Sequence, residues 1–370
     1  MSVTALQKFE GLAVSSKFAI CGLPIRLDSY KTCSFGCSYC FSNNRKIMEF
    51  EKNLQVANVS SIQKRLDRIF TQHNPIENNF LDTLIVQGVT WHCGGMSDPF
   101  QPIESKLHIT KNIIDITKEY NISILFSTKS DNLYDANIDP SLHSFQLSVT
   151  NIDNRTDIEP NVPSIDRRLE LFKYLKEHNF KVGVRIQPFI PNITNLEILK
   201  MFEGADHFTI EGIKLVPQNT DHKNYLIETL KLNKEDFTQK GLLTLKPEIR
   251  IKLYQPFIEY CENNNISYSI SDNDLRLLGN NKCCCGDKLV RKASNFDITA
   301  MLMDKGRDYT IDDVMSRVEA LKCADCKCKS LFTSNRTNGC NTVAEFYQER
   351  FDKKSSPFSP KFQAIVKRKF

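Results

Sequence analysis

The chain has 370 residues, a net charge of +5, and 41% hydrophobic and 25% charged residues, the balance of a soluble globular protein with a large core. Thirteen cysteines, an odd number with no signal-peptide pattern ahead of them, argue against an oxidised secreted framework and for a reduced, cytoplasmic setting. No run of about 18 apolar residues is present to span a membrane, and the mild positive charge permits a polyanionic partner without requiring one.

In chain order, Ile25–Tyr30 alternates apolar and polar residues and predicts a first strand. It runs into Cys33-Ser34-Phe35-Gly36-Cys37-Ser38-Tyr39-Cys40, a C-x3-C-x2-C loop with an aromatic residue before its last cysteine. Three thiolates can hold three corners of a [4Fe–4S] cluster and leave the fourth iron open to a substrate or cofactor. Zinc and three unrelated thiols are the alternatives; zinc sites more often pair two C-x2-C halves. A helix is predicted over Ser60–Phe70 and a strand over Val89–His92, followed by Cys93-Gly94-Gly95-Met96-Ser97-Asp98-Pro99. Two glycines after a strand let backbone approach a ligand closely.

Glu104–Tyr120 reads as one helix, Ile122–Phe126 and Phe145–Val149 as strands, and Ile165–His178 as an amphipathic helix. Lys181–Gln187 is the fifth predicted strand, Leu196–Phe202 a helix and His207–Val216 the sixth strand; Pro247–Asn264 and Ile266–Ile270 add a helix and a strand. Strand-then-helix alternation predicts an α/β fold with a parallel sheet and right-handed crossovers, its polar residues gathered just past the strand ends. The expected organisation is a barrel over 1–275, a cysteine-rich extension over 276–350 and a basic tail over 351–370 that ends Lys367-Arg368-Lys369-Phe370.

Seven of the thirteen cysteines follow residue 280. Cys283 or Cys285 with Cys323, Cys326 and Cys328 or Cys340 would make an auxiliary [4Fe–4S] cluster or a four-cysteine structural zinc site. Unligated thiols are the third reading. Adjacent Cys283, Cys284 and Cys285 cannot all reach one metal comfortably, and spacing does not decide which is left out.

The motifs together resemble the spore-photoproduct-lyase-like branch of the radical S-adenosylmethionine (radical SAM) superfamily. The resemblance rests on the cysteine loop, on Gly94-Gly95-Met96-Ser97-Asp98-Pro99-Phe100-Gln101-Pro102-Ile103-Glu104, on Ser127-Thr128-Lys129-Ser130 and on Gln146-Leu147-Ser148-Val149-Thr150. Glu159-Pro160, Arg167-Arg168-Leu169-Glu170 and Val182–Pro191 continue it, so that it spans roughly residues 20–220. It implies a partial (β/α)6 TIM-type barrel with a [4Fe–4S] cluster on Cys33, Cys37 and Cys40. It also implies reductive cleavage of S-adenosylmethionine (SAM) to a 5′-deoxyadenosyl radical and a one-electron donor such as flavodoxin or ferredoxin.

By position, Phe35 and Tyr39 would shield the cluster, Gly94 and Gly95 would receive the methionyl amine, and Ser97 and Asp98 follow on the same turn. Lys129 would meet the methionyl carboxylate, Ser148 the ribose or methionyl group, and Arg185 carboxylate or ribose oxygens. The hydrogen-donating cysteine of the lyase aligns with Gly95 here. Cys93, two residues earlier, would share its face in an extended segment and is the candidate catalytic thiol. The substrate expected is macromolecular, foremost a nucleic acid; a peptide or small molecule, and a non-catalytic zinc-stabilised binding protein, are the alternatives.

Overall fold

The computed structural model describes residues 6–15, 18–42, 54–294, 309–320, 322, 324–327 and 339–353. Cys323, Cys328 and the basic tail from 354 lie outside the described residues. Among these residues one sheet carries eight strands: β1 (Leu12–Val14), β2 (Ile25–Leu27), β3 (Trp91–Cys93), β4 (Ile124–Thr128), β5 (His143–Ser148), β6 (Lys181–Phe189), β7 (His207–Gly212) and β8 (Tyr268–Ile270). They neighbour one another in chain order. β1 runs antiparallel to β2, and every pair from β2 to β8 is parallel. A parallel sheet wound in one direction through crossovers is an open, partial TIM-type barrel, so the expected fold class holds. No described helix is long and apolar enough to cross a membrane.

Helices α1 (Val59–Leu66) and α2 (Phe80–Val86) follow β2, α3 (Ile109–Glu119) follows β3, α4 (Ile165–Glu177) follows β5, and α5 (Glu197–Met201) follows β6. After β7 come α6 (Thr220–Thr229) and α7 (Pro247–Asn263), the latter started by proline at its first position, where no N–H is needed. Their apolar faces pack on the outside of the strands, where aliphatic residues such as Ile124 are joined by aromatic ones. Phe126 and Phe145 stack at 5.6 Å, and Phe100 lies 5.2 Å from Phe126.

Three differences from the sequence expectation have local causes. The predicted helix Glu104–Tyr120 is two, broken at His108 with φ of 50°. The break frees the buried Glu104 carboxylate to accept the N–H groups of Thr110 at 3.1 Å and Lys111 at 2.9 Å, which start α3. The predicted strand His207–Val216 ends at Gly212; Lys214–Leu215 instead pairs with the hairpin Phe237–Lys240 and Leu242–Leu245. Finally, β4 and β5 are joined by a loop, so the alternation lacks one helix.

β8, expected within the barrel, is its seventh parallel strand. Of the segment expected as a separate extension, residues 281–294 close the end of the barrel opposite the strands' carboxyl ends. Gly183 on β6 makes room for this plug, since a Cβ there would stand 2.6 Å from Leu289 Cδ1. Helix α8 (Ile311–Ala320) packs on α9 (Val343–Asp352), and α9 packs on the N-terminal segment, with Phe18 ring centroids 5.0 Å from Phe346 and 5.6 Å from Tyr347.

The barrel interior is polar. His92 Nε2 lies 2.8 Å from Ser127 Oγ, Ser127 donates to Gln146 Oε1 at 3.2 Å, and His207 Nε2 lies 2.9 Å from Ser269 Oγ. Burial holds His92, His143 and His207 neutral, each lowered to about 4 from 6.5. Burial raises Asp98 to about 6 from 3.8, opposed by hydrogen bonds from Lys129 and Thr128. As pH falls from 6.5 to 4 the unfolded chain takes up three histidine protons that the folded chain refuses, whereas Asp98, with Asp28 and Asp272 also raised by burial, takes up protons more readily in the folded chain. The histidine contribution to folding stability is therefore complete above pH 6.5 and is lost on acidification, by about 1.4 kcal/mol per pH unit for each histidine, while the aspartates act in the opposite sense. Urea midpoints of the wild type and of His207→Gln between pH 7 and pH 4.5 check this; an identical pH dependence in the two would contradict it.

Candidate active site

The loop carrying Cys33, Cys37 and Cys40 lies across the carboxyl ends of the strands, and its backbone is clamped on both sides. Gln101, fully buried, accepts the Ser34 N–H at 2.7 Å and donates to the Thr32 carbonyl at 2.9 Å. Asn161 donates to the Ser34 carbonyl at 3.0 Å, the Ser38 N–H reaches the Ile158 carbonyl at 2.9 Å, and His222 Nε2 lies 2.7 Å from the Ser38 carbonyl. Cys37 is buried while Cys33 and Cys40 are partly exposed. Burial pushes the Cys37 thiol up to about 12, with Lys129 pulling the other way, and raises Cys33 as well. Ligation at these thiols would release protons.

The three thiols share one cavity, about 200 Å³, with Phe35, Tyr39, Gly94, Gly95, Ser97, Asp98, Lys129, Ser148 and Arg185. Every residue assigned from sequence to the cluster loop and the cofactor thus lines the same space. Their roles divide. Gly94 adopts φ of 98°, and a Cβ there would stand 2.1 Å from the Ser127 carbonyl oxygen, so only glycine turns the chain here. At Gly95 a Cβ would find just Arg26 Cδ, at 4.0 Å, leaving bare backbone facing the cavity.

Ser97 and Asp98 are committed to the wall. Ser97 Oγ donates to the Tyr30 carbonyl. Asp98 accepts Thr128 Oγ1 at 2.7 Å, the Lys129 N–H at 2.6 Å and the Phe100 N–H at 3.0 Å. Ser97 fixes the turn after β3 to the segment after β2, and Asp98 fixes it to the end of β4. Ser148 has no hydrogen-bond partner for its hydroxyl among the described residues. Arg185 donates to Gln187 Oε1 and, at 3.2 Å, to Gln146 Oε1, and pairs with no carboxylate among the described residues. Its remaining N–H groups are available to a ligand.

Lys129 is no lone point charge. Its Nζ lies 2.9 Å from Glu159 Oε1 and over the Tyr39 ring at 5.5 Å. Glu159, buried, also accepts the Tyr39 hydroxyl and, at 2.6 Å, Asn151 Nδ2, with Arg168 at 4.0 Å. Burial raises its carboxyl, yet the Lys129 and Arg168 cations and the Tyr39 hydroxyl hold it below the usual carboxylate range. Glu159 and Gln101 are the positioning residues that sequence reading did not assign. Both lie in motifs quoted for the resemblance, but their partners are remote in sequence.

Cys93 is corrected. It is fully buried among core residues, 3.9 Å from Ser29 Oγ, and does not line the cavity; His92, its neighbour, does. The same-face argument needed an extended segment, and the positive φ of Gly94 interrupts it. The C-terminal cysteines are corrected too. Cys283 and Cys285 lie in the plug with Leu23, Leu125 and Leu289, whereas Cys326 and Cys340 belong to the main core beside α2 and α9. No described geometry unites them in one site. As the chain stands, no three Cys, His, Asp or Glu side chains among the described residues form a metal-holding group.

No protein-family model matches the chain. An uncharacterised protein of Methanocaldococcus jannaschii is 25% identical over 246 residues, 58% of this chain and 88% of that protein. Among solved structures, a variant of spore photoproduct lyase superposes with a TM-score of 0.52 at 14% identity, over 72% of this chain and 80% of that one. Spore photoproduct lyase complexed with dinucleoside spore photoproduct gives 0.51 at 16% identity, over 70% and 78%. The fold of this chain is that of spore photoproduct lyase, the partial barrel of the radical SAM enzymes.

Proposed function

We propose that this protein is a radical SAM enzyme in which Cys33, Cys37 and Cys40 hold a [4Fe–4S] cluster. The observation that carries the proposal is the single cavity joining three loop thiols to the bare Gly94–Gly95 backbone, the Ser148 hydroxyl and the Arg185 guanidinium. The loop fits the cluster in a second respect: the buried hydroxyls of Thr32, Ser34 and Ser38 have no partner among the described residues and can donate to acceptor atoms of a group seated there. When bound, the cluster supplies one electron to SAM, whose cleavage gives a 5′-deoxyadenosyl radical.

The chain's own residues bind and exclude. Gly94 and Gly95 present backbone to the methionyl amine, Ser148 meets a methionyl or ribose oxygen, and Arg185 meets an anionic oxygen. Lys129, held by Glu159, contributes a fixed positive edge rather than a mobile charge. Buried Phe35 and Tyr39 keep water from the loop side. A one-electron donor of the flavodoxin or ferredoxin kind completes the system. The substrate class we favour is nucleic acid, supported by the net charge of +5, by Arg185 free of any described carboxylate, and by the dinucleoside held in the similar lyase.

The test is SAM turnover by the iron-loaded protein with a chemical reductant. 5′-Deoxyadenosine is expected from the wild type and none above background from the Cys33→Ala/Cys37→Ala/Cys40→Ala variant. Iron-loaded wild type that releases no deoxyadenosine, with or without oligonucleotide, would refute the activity. Binding of a single-stranded oligonucleotide should weaken steeply with salt; affinity that does not respond to salt would remove the nucleic-acid reading.

A further inference from the structure

A file of hydrogen-bonded side chains crosses the inside of the barrel from β3 to β6. His92 on β3 lies 2.8 Å from Ser127 on β4, and Ser127 lies 3.2 Å from Oε1 of Gln146 on β5. Arg185 on β6 reaches the same oxygen at 3.2 Å and continues to Gln187. Strand alternation and parallel register make the file possible, since Ser127 and Gln146 are direct partners across β4 and β5. All of these residues except Gln146 also line the cavity.

The two ends of the Gln146 amide fix the direction of every bond. A guanidinium only donates, so Gln146 must turn Oε1 to Arg185. A carbonyl only accepts, so Gln146 must turn Nε2 to the Cys285 carbonyl of the plug, which it meets at 3.3 Å. Both demands give the amide the same orientation. Ser127 then spends its single hydrogen on Gln146 Oε1, and its oxygen can only accept from His92.

Nε2 of His92 therefore carries a hydrogen. Burial and the neighbouring Arg185 cation hold the ring neutral, lowered to about 4, so Nδ1 is left as a bare lone pair. Nδ1 has no hydrogen-bond partner among the described residues, and it is not one of the orphan atoms sealed inside the wall. A bare acceptor on a cavity wall calls for a donor from the ligand. Arg185 repels a cationic donor and offers its own spare N–H groups to an oxygen. The group that suits both is a neutral N–H or O–H next to a carbonyl or phosphate oxygen.

We propose that His92 is a specificity-determining residue of this cavity, its Nδ1 accepting a hydrogen bond from a neutral donor on the substrate. The inference rests on the nucleic-acid reading above. Two groups of a nucleic acid carry the required chemistry: the ring N–H of a base, beside its carbonyl, and the ribose 2′-hydroxyl, beside phosphate. A base whose ring nitrogen has no hydrogen, as in cytosine, would set lone pair against lone pair.

The experiment measures binding of three single-stranded oligonucleotides to the iron-loaded full chain with SAM present, at one salt concentration. Oligodeoxyuridylate and oligodeoxycytidylate differ at the base edge; oligocytidylate and oligodeoxycytidylate differ at the 2′-hydroxyl. The wild type is expected to bind the donor-bearing member of one pair about fivefold more tightly, the share of one hydrogen bond. Which pair shows the preference identifies the donor. His92→Gln keeps an amide within reach of Ser127 but puts no acceptor at Nδ1, and should bind both members alike. His92→Asn, whose Oδ1 falls near the Nδ1 position, should restore the preference; a merely structural role would weaken both members equally and show no such rescue. Should His92→Gln fail to fold, Ser127→Ala removes the acceptor that keeps the hydrogen on Nε2, and the preference should narrow.

A wild type without preference in either pair, or a preference that His92→Gln leaves unchanged, would overturn the proposal while the nucleic-acid reading stands. A wild type that binds none of the three would overturn that reading and this one together. SAM affinity lost in His92→Gln, with oligonucleotide binding unchanged, would give the donor to the cofactor and overturn the assignment to substrate.

Discussion

Glu159→Ala is expected to destabilise the fold by roughly 3–5 kcal/mol, because it leaves two buried cations without their shared carboxylate. Lys129 is 14% exposed at its side chain and Arg168 only 2%, so water cannot replace the lost partner. The same substitution removes the acceptor of the Tyr39 hydroxyl, and Tyr39 is part of the loop that carries the three thiols. Iron per chain should fall together with stability. Tyr39→Phe separates the two effects: it deletes the loop's hydroxyl contact and keeps the Glu159–Lys129 pair. It should cost roughly 1.5–3 kcal/mol, as a hydrogen bond to a charged group does, while still lowering iron retention. Urea midpoints and iron assays on both variants check the split. Glu159→Ala with wild-type stability would show that the carboxylate is no hub.

Gly94→Ala and Gly95→Ala should differ as sharply as two neighbouring substitutions can. At Gly94 the left-handed backbone costs a non-glycine residue about 1–2 kcal/mol, and the 2.1 Å approach to the Ser127 carbonyl adds a clash with backbone rather than with a movable side chain. Forcing backbone to shift in packed surroundings costs a further 1–3 kcal/mol or so. The expected result is a loss of several kcal/mol and collapse of the β3–β4 wall, since Asp98 hangs on the same turn. At Gly95 stability should stay within about 0.5 kcal/mol, as for substitutions that disturb no packing. The new methyl would instead stand in the cavity, lowering deoxyadenosine release by about tenfold or more, which corresponds to roughly 1.4 kcal/mol of lost binding or positioning. Equal effects on stability at the two positions would contradict the geometry.

How far the sequence reached follows from which contacts are local. Parallel strands announce themselves by apolar runs and by the motifs at their ends, so the order of β2 to β7 was legible and the strand-end residues met in one cavity. The roles of those residues were less legible. Ser97 and Asp98 look like ligand groups in a motif; the structure uses their oxygens to join the turn after β3 to the segment after β2 and to the end of β4. Lys129 looks like a free cation until Glu159, thirty residues later, is seen beside it. Cys93 was placed by strand parity, and parity fails where one glycine takes a positive φ.

The C-terminal cysteines misled for a related reason. Clustering in sequence was read as clustering in space, but the plug carries Cys283–Cys285 into the barrel while Cys326 and Cys340 stay with α9 and the outer core. Cys21 alone gave no signal, because the plug cysteines it packs against are more than 260 residues away in the chain. The polar barrel interior was equally hidden. Inward serine, threonine, glutamine and histidine weaken the apolar runs of β5 and β7, and Ser144, Gln146 and Thr209 among them satisfy the backbone of the plug.

The most direct measurement counts iron and acid-labile sulfide after anaerobic reconstitution of the wild type and of the Cys33→Ala/Cys37→Ala/Cys40→Ala variant. The predicted result is a wild type holding about four irons and four sulfides per chain more than the variant, as one [4Fe–4S] cluster on that loop requires. Equal iron in the two proteins, or none in either, would contradict the assignment of the loop and the radical chemistry built on it.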